Sequence, residues 1–93
     1  SEDGFCVVIV NINNVSGSVA GEPFVITRGV VYQDEAESFV QDAKNMIVAS
    51  LKEQDLRGAE PAVIRNTIRR NVSNFIFKRT KRRPMVLAIV LLN

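Results

Sequence analysis

Histidine is absent from this chain of 93 residues, and its absence excludes several kinds of catalytic chemistry. A zinc site built on imidazole cannot form, and neither can a Ser-His-Asp or a Cys-His nucleophile. The only cysteine, Cys6, lies in the β-branched run Phe5–Ile12, where a thiol is expected to be a small buried hydrophobe. The chain also lacks a glycine-rich loop that could hold a phosphate group. We therefore expect no catalytic residue, no metal site and no cofactor in this chain.

A single cysteine cannot form an internal disulfide, which is typical of proteins in a reducing cytosol, so we expect a cytoplasmic location. Membrane-spanning features are missing as well. The apolar run Met85–Leu92 has eight residues, whereas a helix needs about 20 to cross a bilayer. The beginning of the chain, with Glu2 and Asp3, is acidic and does not resemble a signal peptide. No membrane association is expected.

The length and composition of the chain fit one globular domain that spans residues 1–93. Single cores usually occupy about 50–200 residues, and the apolar content of 46% is ordinary for a globular protein. No internal repeat or low-complexity segment is visible.

Acidic residues are missing from the last third of the chain, since none follows Glu60. The first 60 residues carry ten acids and four bases, a net charge of −6, whereas the last 33 carry eight bases, a net charge of +8. This asymmetry indicates either an acidic partner for the C-terminal part or an attraction between the two parts.

Seven of the C-terminal bases are candidate contacts for RNA or phosphate. They are Arg69, Arg70, Lys78, Arg79, Lys81, Arg82 and Arg83. Two simpler interpretations stay open. The bases can flank an aggregation-prone strand and keep it from stacking, and they can cap the end of a helix. No aromatic ladder interleaves these bases, so stacking of RNA bases on the protein has little support.

Apolar patterning predicts three strands. The first is Phe5–Ile12, and the second covers about residues 24–32 after Pro23, with Gly29 marking a bulge or a close approach of two backbones. The third is Met85–Leu92, which begins after Pro84 has ended the preceding helix.

Two helices are predicted between the second and third strands, because the apolar residues there recur at helical spacing. The first covers about residues 35–54, with Asp34 and Glu37 as a capping box and Gly58 at its left-handed end. The second begins at Pro61, a favoured first-turn residue, and ends at about Arg79. The order is therefore β-β-α-α-β.

This order predicts an α+β fold, a three-stranded mixed sheet with two helices packed on one face. The first strand is central, the third is parallel to it, and the second forms the other edge. Apolar residues then remain on the face that the helices do not cover, where polar alternation would be expected. In the third strand they are expected to be Met85, Leu87, Ile89 and Leu91, and in the first strand they are either Cys6, Val8 and Val10 or Phe5, Val7 and Ile9. A second copy or another domain is expected to cover this face.

Two motifs resemble the C-terminal domain of ribonuclease J, a nuclease family of the metallo-β-lactamase/β-CASP class. The family pattern S/T-R-G-F/V-V-Y is matched by Thr27, Arg28, Gly29, Val30, Val31 and Tyr32. The closing pattern T-K-R-R-P-M is matched by Thr80, Lys81, Arg82, Arg83, Pro84 and Met85. The resemblance spans essentially the whole chain. It implies a small sheet with two helices that is linked to dimer or tetramer assembly, and zinc in a catalytic part that a chain without histidine cannot contain.

The sequence thus predicts a non-catalytic interaction or oligomerisation domain of a ribonuclease J-type enzyme that processes and degrades RNA. Its expected partners are another copy of itself, as a dimer, and the catalytic part of the parent enzyme. Candidate interface residues are Arg28, Phe77, Met85, Leu87, Ile89 and Leu91. The alternative is a free-standing RNA-binding domain that uses the basic C-terminal segment. The resemblance implies an acid at position 78 in many relatives. Lys78 therefore makes this chain more basic than is usual in the family, which favours contact with RNA.

Overall fold

The computed structural model describes residues 3–93, and Glu2 of the acidic beginning lies outside the described residues. It contains five elements in the order β-β-α-α-β. They are β1 (Phe5–Ile12), β2 (Phe24–Arg28), α1 (Gln33–Lys52), α2 (Pro61–Thr80) and β3 (Met85–Leu92). The predicted α+β class and the predicted order are confirmed.

The three strands form one sheet in the order β2-β1-β3. β1 pairs with β2 in the antiparallel sense, with Val8 opposite Val25, and with β3 in the parallel sense, with Val8 opposite Ala88. A parallel pair cannot be joined by a short turn. Here β2 returns the chain to the end of the sheet where β1 begins, and the two helices carry it across β1 to the start of β3. The predicted central position of β1 is confirmed.

The core lies between one face of this sheet and the two helices. α1 packs on β2 and α2 packs on β3. Alternate residues of β1 point into this core, and each buried aliphatic side chain contributes about 1.5–3 kcal/mol relative to exposure. The fully buried residues are Cys6, Val8, Val10 and Ile12 of β1, Phe39, Ala43, Ile47 and Leu51 of α1, and Ile64, Ile68, Val72 and Ile76 of α2. Both predicted helical stripes are confirmed.

The beginning of α1 differs from the prediction. Its N-cap is Tyr32, in an extended conformation (φ −65°, ψ 150°), and no side chain caps the helix. The predicted capping box is therefore wrong, because Asp34 already has helical geometry and only the residue before the helix can act as the cap. Asp34 and Glu35 nevertheless lie in the first turn, where negative charge favours the helix dipole.

The C-terminal end of α1 also comes earlier than predicted, at Lys52, with Glu53 as its cap. Gly58 does have a left-handed backbone (φ 67°), but it lies in the loop before α2 and does not end the helix. The predicted first turn of α2 at Pro61 is confirmed.

β2 ends at Arg28 and not near residue 32, because Gly29 leaves the extended region with a φ of 71°. Here the backbones of Gly29 and Gly4 come together, which confirms the predicted close approach. Gly4 is the more constrained of the two, since a Cβ added to it would lie 2.1 Å from the carbonyl oxygen of Arg28. After this contact Val30 turns into the core.

Gly4→Ala should destabilise the fold strongly, whereas Gly21→Ala should have a smaller effect. Both glycines have positive φ, but a Cβ on Gly21 meets no atom within 4 Å. The left-handed backbone alone costs an alanine about 1–2 kcal/mol, and a backbone clash adds roughly 1–3 kcal/mol. Urea unfolding of both variants measures the difference. Equal losses of unfolding free energy would contradict the close approach.

Candidate interaction surfaces

The sheet face away from the helices, here called the open face, is apolar along most of its length. Strand register places its side chains in rows, such as Phe24, Ile9 and Ile89 across the three strands. Its members are Phe5, Val7, Ile9 and Asn11 of β1, Phe24, Ile26 and Arg28 of β2, and Met85, Leu87, Ile89 and Leu91 of β3. Arg28 and Asn11 lie at opposite ends of this surface.

Five side chains of the open face are strongly exposed, at 62% for Met85, 53% for Leu87, 51% for Phe24, 47% for Leu91 and 43% for Phe5. Water-facing sheets normally alternate apolar and polar residues, and this face does not. The predicted apolar surplus is therefore confirmed as exposed surface. The structure brings four of the predicted interface residues together on β3 and places Arg28 on the same face.

Sequence reasoning missed two members of this surface, Phe24 and Ile26. Strand alternation could have found them, because residues 24, 26 and 28 of one strand point to the same face of the sheet. Antiparallel pairing sets Phe24 opposite Ile9 and Ile26 opposite Val7.

Residues 78–83, here called the basic segment, span the end of α2 and the turn before β3. α2 ends at Thr80, and Lys81 follows with a left-handed backbone (φ 61°) and an N–H that donates to the carbonyl of Phe77 at 2.8 Å. Both the placement predicted for this segment and the start of β3 directly after Pro84 are confirmed.

Side-chain oxygens hold the turn of the basic segment in one conformation. The hydroxyl of Thr80 accepts the N–H of Arg82 at 3.0 Å, and the carboxylate of Asp3 accepts the N–H of Arg83 at 2.8 Å. The N–H of Met85 then donates to the carbonyl of Gly4 at 3.2 Å and starts the parallel pairing.

Arg79, a predicted RNA contact, is used within the fold. Its guanidinium donates to the carboxylate of Asp42 at 2.6 Å and lies 5.4 Å from the ring centre of Phe39 and 5.7 Å from that of Phe75. The side chain thus joins α1 to α2. Its predicted contact with RNA stays a prediction.

Phe77 lies beneath two cations of the basic segment. The guanidinium carbon of Arg83 is 3.9 Å from the ring centre, and the ammonium of Lys81 is 5.3 Å from it. No local sequence pattern indicates this contact, because the left-handed turn at Lys81 separates the ring from Arg83. Phe77 is half-buried, and its predicted role as a partner contact stays a prediction.

The other predicted RNA contacts divide by position. Lys78 is exposed within the basic segment, and Arg82 donates to the carbonyl of Gly29 at 3.0 Å. Arg69 and Arg70 are also exposed, but they lie roughly 15 Å from the end of α2 at 1.5 Å per residue. Arg69 donates to Asn66 at 2.8 Å. The structure does not bring these two arginines to the basic segment.

The described residues contain no group of three side chains that could hold a metal ion. The zinc that the resemblance implies for a catalytic part thus finds no ligand set here. Cys6 is buried, and burial raises the pKa of its thiol from 9.0 to about 11, which disfavours the nucleophilic thiolate. Neither helix in this part of the chain combines the length and apolar character that crossing a bilayer requires.

Comparison with known families decides what these surfaces belong to. All 93 residues match the family described as the ribonuclease J C-terminal domain. The chain belongs to this family. The resemblance predicted from the two motifs is thereby confirmed.

Two curated relatives carry names that agree with this family. The chain is 26% identical over 92 residues to ribonuclease J2 of Bacillus subtilis (strain 168), which covers 98% of the chain and 17% of that protein. It is 29% identical over 94 residues to ribonuclease J 2 of Staphylococcus aureus (strain NCTC 8325), covering 97% of the chain and 16% of that protein. The chain therefore spans about a sixth of these curated relatives.

Titration of Cys6 should make this ribonuclease J C-terminal domain less stable at alkaline pH. Between pH 9.0 and about pH 11 the unfolded chain releases a thiol proton that the native chain retains, so the unfolding free energy falls as pH rises. Urea unfolding at a series of alkaline pH values should show a steeper decline of the unfolding free energy for the unsubstituted chain than for the Cys6→Ala variant. All other residues are identical in the two proteins, so their contributions cancel in the difference. Identical slopes would contradict the burial of the thiol.

Proposed function

We propose that this domain is a non-catalytic interaction domain of a ribonuclease J-type enzyme that processes and degrades RNA. Its relatives carry the name ribonuclease and are about six times longer than the matched region. The observation that carries the proposal is the apolar open face, whose exposed side chains need a partner. Catalysis then belongs to other parts of such an enzyme.

The free energy gained by burying the open face indicates what kind of contact it makes. Burying the exposed half of one large apolar side chain gains about 1 kcal/mol, so five such side chains on each of two copies supply about 10 kcal/mol. Association costs roughly 4–15 kcal/mol in lost freedom before any gain is observed. A contact made by this face alone is therefore weak, and its assembly depends on concentration or on linkage to the rest of the parent enzyme.

A second copy is the partner that we expect for the chain by itself. The open face carries only one charged side chain, Arg28, at one end, so two copies can meet without strong repulsion at the centre. Twofold pairing is the commonest closed symmetry. The alternative of a free-standing RNA-binding domain has less support, because it gives the open face no role.

The purified chain is expected to leave RNA intact. The reason is that its only thiol is buried and its sequence contains no histidine. Incubation with an end-labelled RNA, followed by gel analysis, measures this. Hydrolysis that persists through repurification from a nuclease-deficient host would contradict the non-catalytic assignment.

Leu87→Glu should lower the oligomeric state of the chain, whereas Val63→Glu should not. The two side chains are similarly exposed, at 53% and 58%, but Leu87 lies on the open face and Val63 lies on α2. Light scattering over two orders of magnitude in protein concentration measures the mass, and circular dichroism checks the helices. If the unsubstituted chain stays monomeric at every concentration and binds no apolar dye, the proposal is contradicted.

Adjacent residues of β3 test the assignment of its two faces. Leu91→Glu should act like Leu87→Glu and leave the helices intact. Val90→Asp should unfold the domain, because Val90 packs against the core under the helices. Similar loss of helix in both variants would show that the faces are assigned wrongly.

A further inference from the structure

We propose that the end of the domain where β3 begins binds the phosphodiester backbone of single-stranded RNA through four cations. These are Arg28, Lys81, Arg82 and Arg83, here called the cation cluster. The choice of RNA as the polyanion rests on the proposed function. The existence of a phosphate-binding surface rests on the geometry of the cluster itself.

The fold brings Arg28 to the three other cations across a long stretch of sequence. Arg28 ends β2 and pairs with Phe5, and Phe5 also pairs with Met85, the first residue of β3. The guanidinium of Arg82 donates to the carbonyl of Gly29 at 3.0 Å, directly after Arg28. Arg28 and the basic segment therefore meet at the same end of the sheet.

Neutral groups hold all four cations, so their charge is not cancelled. Arg28 donates to the carbonyl of Thr27 at 2.8 Å, Arg82 donates to Gly29, and Arg83 and Lys81 lie on the ring of Phe77. The ion pairs within residues 3–93 involve three other cations, namely Lys44, Arg57 and Arg79.

Two carboxylates border the cation cluster and leave it with an excess of positive charge. Asp3 accepts the backbone N–H of Arg83, and Glu35 lines a shallow surface depression together with Arg82. Four cations thus face two carboxylates.

Fixed positions make these cations effective ligands for phosphate. An arginine that binds phosphate normally loses side-chain freedom, and this loss opposes binding. Arg83 already lies 3.9 Å from the ring centre of Phe77 and Arg82 is already held by the carbonyl of Gly29, so less freedom remains to be lost. A guanidinium also matches phosphate geometry with two parallel hydrogen bonds. The left-handed backbone of Lys81 fits this interpretation, because strained non-glycine residues cluster at functional sites.

The contact is expected to be independent of RNA sequence. Single-strand binding proteins often stack bases on aromatic rings, but cations occupy the ring of Phe77. The four cations themselves offer charge and hydrogen bonds to phosphate oxygens, which carry no base identity. Such binding weakens steeply with salt, with a log–log slope of about −0.7 for each phosphate contact on a single strand.

Fluorescence anisotropy with labelled oligouridine over a salt series tests the proposal. For the unsubstituted chain, four phosphate contacts predict a slope of about −3 in a plot of the logarithm of the binding constant against the logarithm of the salt concentration. The double variant Arg82→Gln/Arg83→Gln should reduce the slope by about 1.4 and weaken binding at low salt about tenfold or more. The control Lys52→Gln/Arg65→Gln removes the same charge from exposed sites outside the cluster and should bind oligouridine nearly as well as the unsubstituted chain does.

Three further variants separate the possible causes. Arg83→Lys should keep the salt slope but weaken binding severalfold, because the charge stays and the contact of the guanidinium with Phe77 is lost. Arg28→Gln should also weaken binding, and it keeps the test usable if the double variant fails to fold, because the guanidinium of Arg28 is exposed and donates to the adjacent carbonyl of Thr27. Leu87→Glu should retain RNA affinity, so a failure of the assembly proposal is distinguishable from a failure here.

Several outcomes would overturn the proposal. One is equal weakening by the cluster variant and the charge-matched control, which would indicate net charge alone. Another is undiminished RNA affinity in the double variant and in Arg28→Gln. A third is binding to phosphatidylglycerol vesicles without binding to oligouridine, which would assign the cluster to an anionic membrane surface.

Discussion

The parallel pairing of β1 with β3 is the contact on which the rest of the structure depends. A parallel neighbour cannot be reached by a short turn. The antiparallel β2 returns the chain to the end of the sheet where β1 begins, and α1 and α2 then carry it across β1 to the other edge, where β3 starts at that same end. Both helices lie on one side of the three strands. The opposite side of the sheet is therefore left without cover from any described residue, although its strands are apolar on both sides.

The same pairing fixes the end of the sheet at which charge accumulates. Because β3 runs parallel to β1, its first residue lies beside the first residue of β1, which also lies beside the last residue of the antiparallel β2 on its other side. The turn that leads into β3 thus meets the turn that leaves β2. Gly4 and Gly29 permit this approach, since a side chain on Gly4 would collide with the backbone of Arg28.

The charge asymmetry of the chain is used in two different ways. Arg79 and Asp42 join the basic α2 to the acidic α1, which is the internal attraction that the charge distribution suggested. This pair is partly exposed, so its Coulombic contribution is about 0–1 kcal/mol, and the packing of Arg79 on two rings adds to it. The bases that follow Arg79 are held by neutral groups instead, and their charge faces outwards.

The sequence by itself determined the element types, their order and the apolar surplus, because alternation and helical spacing are local properties of the chain. It located β1 and β3 correctly and predicted the special backbone at Gly29. Tertiary structure decided where elements end and which distant residues meet. β2 stops early because Gly29 approaches Gly4, and Phe24 joins the open face through its pairing with Ile9. The partners of Arg79, Phe77 and Arg82 likewise depend on distances through space, which no local pattern encodes.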